Sequence, residues 1–106
     1  MARFDVYANP DAKRCLVIPF LLDVQCNLLE TLDSRVVVPL RRRDQFAKVN
    51  LPRNLAPSFE VDGVPCFMET PKLAAVPSRL LKVKVASLVG QQDEITGALD
   101  FLFQGF

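Results

Sequence analysis

Apolar and polar positions are most regularly spaced at the end of the chain, in residues 93–106 (DEITGALDFLFQGF). Placed on a helix at about 100° per residue, most of the apolar side chains form one stripe. The stripe contains Ile95, Ala98, Leu99, Leu102 and Phe106, with Phe103 at its margin. Phe101 lies off the stripe, no basic residue closes the last turn, and Gly105 loosens it. The pattern predicts an amphipathic C-terminal helix on a core, whose end either frays or contacts a partner.

Shorter apolar stretches upstream predict β-strands, because they alternate with period two or are rich in β-branched residues. They are residues 3–7, 15–24 in two pieces joined near Pro19, 35–40 with a stop at Pro39, 58–61, 64–68 and 81–85. Asp62-Gly63, between two of these strands, is typical of a type I′ hairpin turn. In the last strand, the alternation predicts that Leu81, Val83 and Val85 face inward and that both lysines face water.

The order of these elements predicts the fold class. Several short strands followed by one helix are typical of an α+β, mainly β fold, a small and strongly bent antiparallel sheet with the helix packed on it. Residues 27–34 indicate a turn of helix or an irregular loop, and residues 44–55 mainly a loop. Ser87 and Gly90 are candidate N-caps of the final helix.

Length and composition restrict the class of protein. The 106 residues predict a single domain, residues 1–106, and 50% hydrophobic residues are enough for a core. Lysine and arginine (13) nearly balance aspartate and glutamate (12), which argues against a nucleic-acid coat or a polybasic membrane anchor. The sequence contains no apolar run of about 18 residues and no signal-peptide layout, so we expect a cytoplasmic protein.

Residue types that carry catalysis are sparse. The chain has no histidine and no glycine-rich phosphate loop, and its three cysteines are widely spaced without a CxxC pair. The sequence therefore predicts a binding protein without catalytic residues, metal or cofactor. An endoribonuclease that uses Arg35, Arg41 and Thr31 remains an alternative. Residues 41–43, three arginines, indicate either a solvated loop that protects a sheet edge or a site for an acidic partner.

Four stretches stand in order along the chain at spacings that match one family. They are Phe4-Asp5-Val6-Tyr7, LLDVQCNLLETLDSRVVVPL (21–40), LAPSFEVDGVPCFMETPKLAAVPSRLL (55–81) and the final FLFQGF (101–106). The second stretch is the densest, with Asp23-Val24-Gln25 and Val38-Pro39-Leu40 in the family pattern. Together they resemble the CcdB family, toxins of plasmid and chromosomal toxin–antitoxin modules, over nearly the whole chain.

The resemblance implies an SH3-like barrel of short antiparallel strands with a small β-wing and one C-terminal α-helix, assembled as a homodimer. It implies a plasmid-maintenance toxin that is not an enzyme, binds the DNA gyrase A subunit and traps the complex of gyrase with cleaved DNA. It also implies neutralisation by a small CcdA-like antitoxin whose disordered C-terminal segment folds on the toxin. A membrane and a direct, sequence-specific nucleic-acid contact are not implied. Carried over by position, the gyrase-binding residues are Leu28, Leu29, Asp100, Phe103, Gln104, Gly105 and Phe106.

Two of these positions depart from the family pattern. Gln104 stands where the family poisons carry tryptophan, and Asp100 stands where they carry a neutral asparagine. Loss of an exposed indole anchor weakens a protein interface by on the order of 2–4 kcal/mol. Two alternatives to gyrase poisoning follow: a non-toxic member that keeps antitoxin binding, and an endoribonuclease toxin of the MazF type on the same barrel.

Overall fold

Seven β-strands and one α-helix form the regular structure of the computed structural model, which describes residues 2–29 and 31–105. The strands are β1 (Asp5–Ala8), β2 (Phe20–Asp23), β3 (Ser34–Arg42), β4 (Ser58–Val61), β5 (Val64–Met68), β6 (Ala74–Pro77) and β7 (Lys84–Ser87). The helix is α1 (Gln92–Gln104). All strand pairs are antiparallel, in the order β4-β5-β3-β2-β1-β7, and β6 also pairs with β3. This curled sheet with one helix is an SH3-like barrel, so the predicted fold class is confirmed.

The long strand β3 organises the sheet and runs through Pro39, where the sequence predicted a stop. Along one edge β3 pairs with β2, and along the other it pairs first with β6 and then with β5. The Pro39 carbonyl accepts the Glu69 N–H at 3.0 Å on this second edge. The N and C=O groups of a strand residue point the same way, so the missing proline N–H lies in the gap between β6 and β5. The predicted stop is therefore wrong, since no ladder bond is lost there.

The first piece of the predicted strand 15–24 is also wrong, because residues 12–17 form turns. The Asp11 carboxylate accepts the Lys13 N–H at 2.9 Å, and the Asp11 carbonyl accepts the Cys15 N–H at 3.0 Å. Local bonds of this kind compete with a strand even where the side chains are apolar. As a result Leu16 is 75% exposed, and the strand starts only at Phe20, after Pro19.

The β4–β5 hairpin, the small wing of the sheet, is formed as predicted. Asp62 has φ 51° and Gly63 has φ 77°, the two positive values that a type I′ turn requires. Val61 pairs directly with Val64, so the loop contains only these two residues. Phe59, Val61 and Cys66 of the hairpin are buried in the core.

The last strand differs from its prediction in position and in the direction of one side chain. β7 begins at Lys84, and its pairing with β1 is irregular between Val6 and Tyr7. Leu81 is buried as expected, but Val83 is 59% exposed, so its inward orientation was wrong. The reason is that residues 81–83 precede the regular ladder and follow a 3₁₀ turn, Ser78–Leu80, so the strand alternation does not extend to them.

Both faces of the central strands are buried. Val6, Leu22 and Val38 belong to the larger core, which is closed by Ile95 and Ala98 of α1. Their strand neighbours Tyr7 and Val37 belong to a smaller cluster with Leu81. Each fully buried aliphatic side chain contributes about 1.5–3 kcal/mol, so the stripe of α1 holds the helix on the barrel.

Helix α1 confirms the amphipathic prediction over its described residues, with its start displaced. It begins at Gln92, and the preceding Gln91 makes no side-chain capping bond. Neither Ser87 nor Gly90 is its N-cap; the Ser87 hydroxyl accepts the Val89 N–H at 3.4 Å, at the start of a separate 3₁₀ turn, Val89–Gln91. Within residues 2–29 and 31–105, no helix is long and apolar enough to cross a membrane.

Candidate functional site

The end of α1 carries an exposed aromatic side chain on a well-formed helix terminus. Phe103 is 71% exposed, and Asp100 and Gln104 are also exposed. Gly105 adopts the left-handed conformation with φ 79°, and its N–H donates to the Phe101 carbonyl at 2.9 Å. This is a glycine C-cap, so Gly105 ends the helix in a defined geometry and does not loosen it. Phe106 lies outside the described residues.

Beside this terminus runs an open groove of about 670 Å³ between α1 and the 3₁₀ turn Arg53–Leu55. Pro57 and Phe101 line it, so the Phe101 ring is half-buried and not left fully to water. Gly97 also lines it, and a Cβ at Gly97 would meet no atom within 4 Å. Packing within the chain therefore gives no reason for a glycine at this helix position.

The second group of predicted site residues lies in the loop 26–33 between β2 and β3. Leu28 is 89% exposed on a 3₁₀ turn, Asn27–Leu29, and Leu29 and Leu32 are also exposed. The loop is tied to the rest of the fold by polar groups: the Arg3 N–H donates to Asn27 Oδ1 at 2.6 Å, and the Ser78 N–H to the Asp33 carbonyl at 2.8 Å. These bonds fix the two ends of the loop, and its leucine side chains face solvent.

A buried polar cluster lies at the base of this loop, and the sequence did not reveal it. Asp23 Oδ2 accepts Arg35 Nε at 2.8 Å, and the Gln25 N–H donates to Asp23 Oδ1 at 2.9 Å. Burial raises the pKa of the Asp23 carboxyl, and the bonds from Arg35 and Gln25 oppose that rise. Two charged residues next to continuous apolar runs, FLLD and RVVVPL, were the available signal, since charges there must pair when the strands are buried.

The predicted site residues form two groups with different neighbours in the fold. Helix α1 packs against the 3₁₀ turns Arg53–Leu55 and Thr70–Lys72, whereas the loop 26–33 bonds to Arg3 and Ser78. Both groups present apolar side chains to solvent beside buried anchoring elements. Neither group contains an acid–base pair or a nucleophile with a base.

The sequence model of the CcdB protein family matches residues 3–105 of this chain. The chain belongs to the CcdB family. The predicted resemblance is confirmed, and CcdB proteins are non-catalytic toxins of toxin–antitoxin modules. The match includes both exposed groups and the buried cluster between β2 and β3.

The burial of Arg35 agrees with a non-catalytic toxin of the CcdB family. Its side chain has no exposed surface, so it cannot contact RNA as the endoribonuclease hypothesis required, and that role is wrong. Arg41, the second residue of that hypothesis, is bonded to Glu69 at 3.4 Å.

The arginine run of this CcdB chain is not a solvated loop. Arg41 and Arg42 are strand residues of β3, and Arg42 Nε donates to the Leu16 carbonyl at 2.9 Å. Arg43 is exposed and, with Phe46 and Arg53, lines an open cleft of about 380 Å³. The loop interpretation is therefore wrong for two of the three arginines, and the acidic-partner interpretation remains a prediction for Arg43.

The cysteines of this CcdB chain occupy three different environments. Cys26 is exposed, Cys15 is half-buried and Cys66 is buried, and all three thiols are free. Burial raises the pKa of the Cys66 thiol, although a hydrogen bond with the Val61 backbone and the charges of Arg43 and Arg42 oppose the rise. Among the described residues, no cluster of cysteine and carboxylate side chains could hold a metal ion.

Proposed function

We propose that this CcdB-family chain is a toxin of a type II toxin–antitoxin module that binds the DNA gyrase A subunit and traps the gyrase complex with cleaved DNA. The observation that carries the proposal is the exposed Phe103 at a capped helix end, where a solvent-facing aromatic ring has no structural role. Aromatic side chains of this kind are the usual anchors of protein interfaces. Phe103, Gln104 and Gly105 form one part of the gyrase surface, and Leu28 and Leu29 form the other.

Membership in the family supports the remaining parts of the proposal. The toxin is a single domain, residues 1–106, that acts as a cytoplasmic homodimer, and a small CcdA-like antitoxin neutralises it through a segment that folds on binding. Catalysis plays no part: the toxin stabilises one state of a topoisomerase by binding to it. Apolar groups left exposed on each chain favour an assembly in which some of them are covered.

Expression in bacteria tests this function. We expect the full-length chain to stop growth, and we expect loss of toxicity when residues 104–106 are removed or when Phe103→Ala is introduced. Val89→Ala is the matched control, because Val89 is also an exposed apolar residue but precedes the helix. Titration of the purified chain with the purified gyrase A subunit measures the affinity between them. A harmless full-length chain, or full toxicity after truncation, would contradict the proposal.

A second candidate function is a non-toxic CcdB member that retains antitoxin binding. The exposed Gln104 favours it, because a glutamine at this position offers no indole to a partner. The exposed carboxylate of Asp100 adds a negative charge to a helix that has no basic residue in its last turn. Antitoxin binding without any effect on gyrase is the result expected for this candidate.

A further inference from the structure

The described residues of the loop 26–33 have a defined conformation although none of their side chains is buried. Residues 26–29 and 31–33 are all exposed, including Leu28, Leu29 and Leu32. Burial of apolar surface therefore does not hold this loop in place. Its conformation depends on hydrogen bonds instead.

One buried side chain, Gln25, connects the middle of the loop to β3. Its Nε2 donates to the Leu29 carbonyl at 3.2 Å and to the Ser34 carbonyl at 3.2 Å, and its Oε1 accepts the Val36 N–H at 3.0 Å. A carboxamide has two N–H donors and one carbonyl acceptor, so every polar group of this side chain is engaged. Leu29 is thereby fixed relative to the sheet through its backbone, while its side chain stays in solvent.

Gln25 is itself held by the buried ion pair. Its N–H donates to Asp23 Oδ1 at 2.9 Å, and its carbonyl accepts Arg35 Nη2 at 3.5 Å. Neither charged side chain has any exposed surface, so water does not compete for the hydrogen bonds that these two residues make with Gln25. Asp23, Arg35 and Gln25 therefore form a rigid base for the loop.

We propose that Gln25 is a positioning residue that holds Leu28 and Leu29 in the conformation that binds the gyrase A subunit. This rests on the proposed function above. A partner that meets a loop already ordered does not have to order it on binding, so preorganisation raises affinity without any new contact. Gln25 does not touch the partner, because it is buried beneath the residues that do.

Gln25→Glu tests this role, since it keeps the acceptor for the Val36 N–H and replaces the donor to the Leu29 and Ser34 carbonyls by an oxygen. We expect faster hydrogen exchange of the Leu29 and Leu32 amides, which bond within the loop, with unchanged exchange in β4 and β5. We expect affinity for the purified A subunit to fall about 3- to 10-fold, the equivalent of one hydrogen bond. Gln91→Glu makes the same chemical change at an exposed position and should alter neither.

Two further measurements keep the outcome decisive. If Gln25→Glu does not fold, Gln25→Met removes the donor to the Leu29 and Ser34 carbonyls without burying a charge, and it also removes the acceptor for the Val36 N–H. The wild-type exchange rates are informative alone. Unprotected Leu29 and Leu32 amides in the wild type, or an ordered loop in the folded variants, would overturn the positioning role. So would a disordered loop with unchanged affinity. A wild-type chain that does not bind the A subunit refutes the proposed function instead, and the exchange data still show whether Gln25 orders the loop.

Discussion

Asp23 and Arg35 form an ion pair with no exposed surface, in which Arg35 Nη2 lies 2.6 Å from Asp23 Oδ2. The pair joins the end of β2 to the start of β3, at the base of the loop that carries Leu28. Arg35 Nη1 has no hydrogen-bond partner within the described structure, so the guanidinium depends on this carboxylate for its compensation. Removal of one member from a buried pair leaves an uncompensated charge, which is far more unfavourable than the loss of a surface pair.

Asp23→Asn should lower the free energy of unfolding by about 3–5 kcal/mol, because the Arg35 charge stays buried without a counter-charge. Urea unfolding of the purified protein measures this difference. Asp62→Asn is the matched control, since asparagine suits the first position of a type I′ turn at least as well as aspartate. A loss below about 1 kcal/mol for Asp23→Asn would mean that the pair behaves as a surface ion pair.

The three thiols should react with an alkylating reagent in the order of their exposure, with Cys26 first and Cys66 last. Only the thiolate reacts, and burial raises the pKa of Cys66, so at about pH 8 less of it is ionised than of an ordinary thiol. Mass spectrometry of peptides after timed iodoacetamide treatment measures the three rates. Addition of urea provides the control, because all three rates should then converge. Equal rates in the folded protein would contradict the buried position of Cys66.

Gly97→Ala should stabilise the protein by about 0.5–1 kcal/mol, because the position is helical and a Cβ there would meet no atom within 4 Å. Gly63→Ala provides the contrast, since its Cβ would also have free space but its φ of +77° is unfavourable for alanine. We expect this second variant to lose stability. The unfolding temperatures of both variants, measured against the wild type, test this. A lower unfolding temperature for Gly97→Ala would indicate a contact at this position that is not present in the single chain.

Gln104→Trp should increase toxicity and tighten binding to the A subunit, because the position is exposed and can take an indole without disturbing the core. A gain on the order of 2–4 kcal/mol corresponds to about 30- to 1,000-fold in affinity. Growth arrest on titrated expression and a binding titration measure it. Gln91→Trp introduces the same ring on an exposed residue before the helix and should have no effect. No gain from Gln104→Trp would count against the non-toxic candidate.

Leu28→Ala should weaken binding to the A subunit by at least about tenfold, since a leucine buried at an interface contributes more than 1.4 kcal/mol. Leu16→Ala is a close control: Leu16 is 75% exposed, compared with 89% for Leu28, and lies in a different loop. Neither substitution should change the unfolding temperature appreciably. Equal affinities of the two variants and the wild type would exclude Leu28 from the binding surface.

Local patterns in the sequence were sufficient for the helix and the hairpin. The spacing of Ile95, Ala98 and Leu99 determined which face of α1 packs on the barrel, because helical periodicity depends only on the chain itself. Asp62-Gly63 determined the hairpin turn, because few residues accept two successive positive φ values. The family was also evident from the sequence, since its motifs recur in order.

Pairing between distant segments explains the features that were predicted wrongly or not predicted from the sequence. Pro39 is accommodated inside β3 because its missing N–H lies in the gap between two neighbouring strands, which is a property of the sheet and not of the strand. Val83 faces outward because it precedes the regular register of β1 with β7, which is itself irregular between Val6 and Tyr7. The sequence allowed Arg35 as a residue of an endoribonuclease, but in the fold it pairs with Asp23, 12 positions away in the chain.

The C-terminal helix shows both contributions in one element. Residue identity and spacing alone were enough for its amphipathic stripe and its family. Long-range packing, in contrast, leaves Phe103 in solvent and half-buries Phe101 in the wall of the groove. Exposure depends on which distant segments pack nearby, and no local pattern records those neighbours. The Gly105 cap is different, because its N–H bonds to the Phe101 carbonyl within the helix itself.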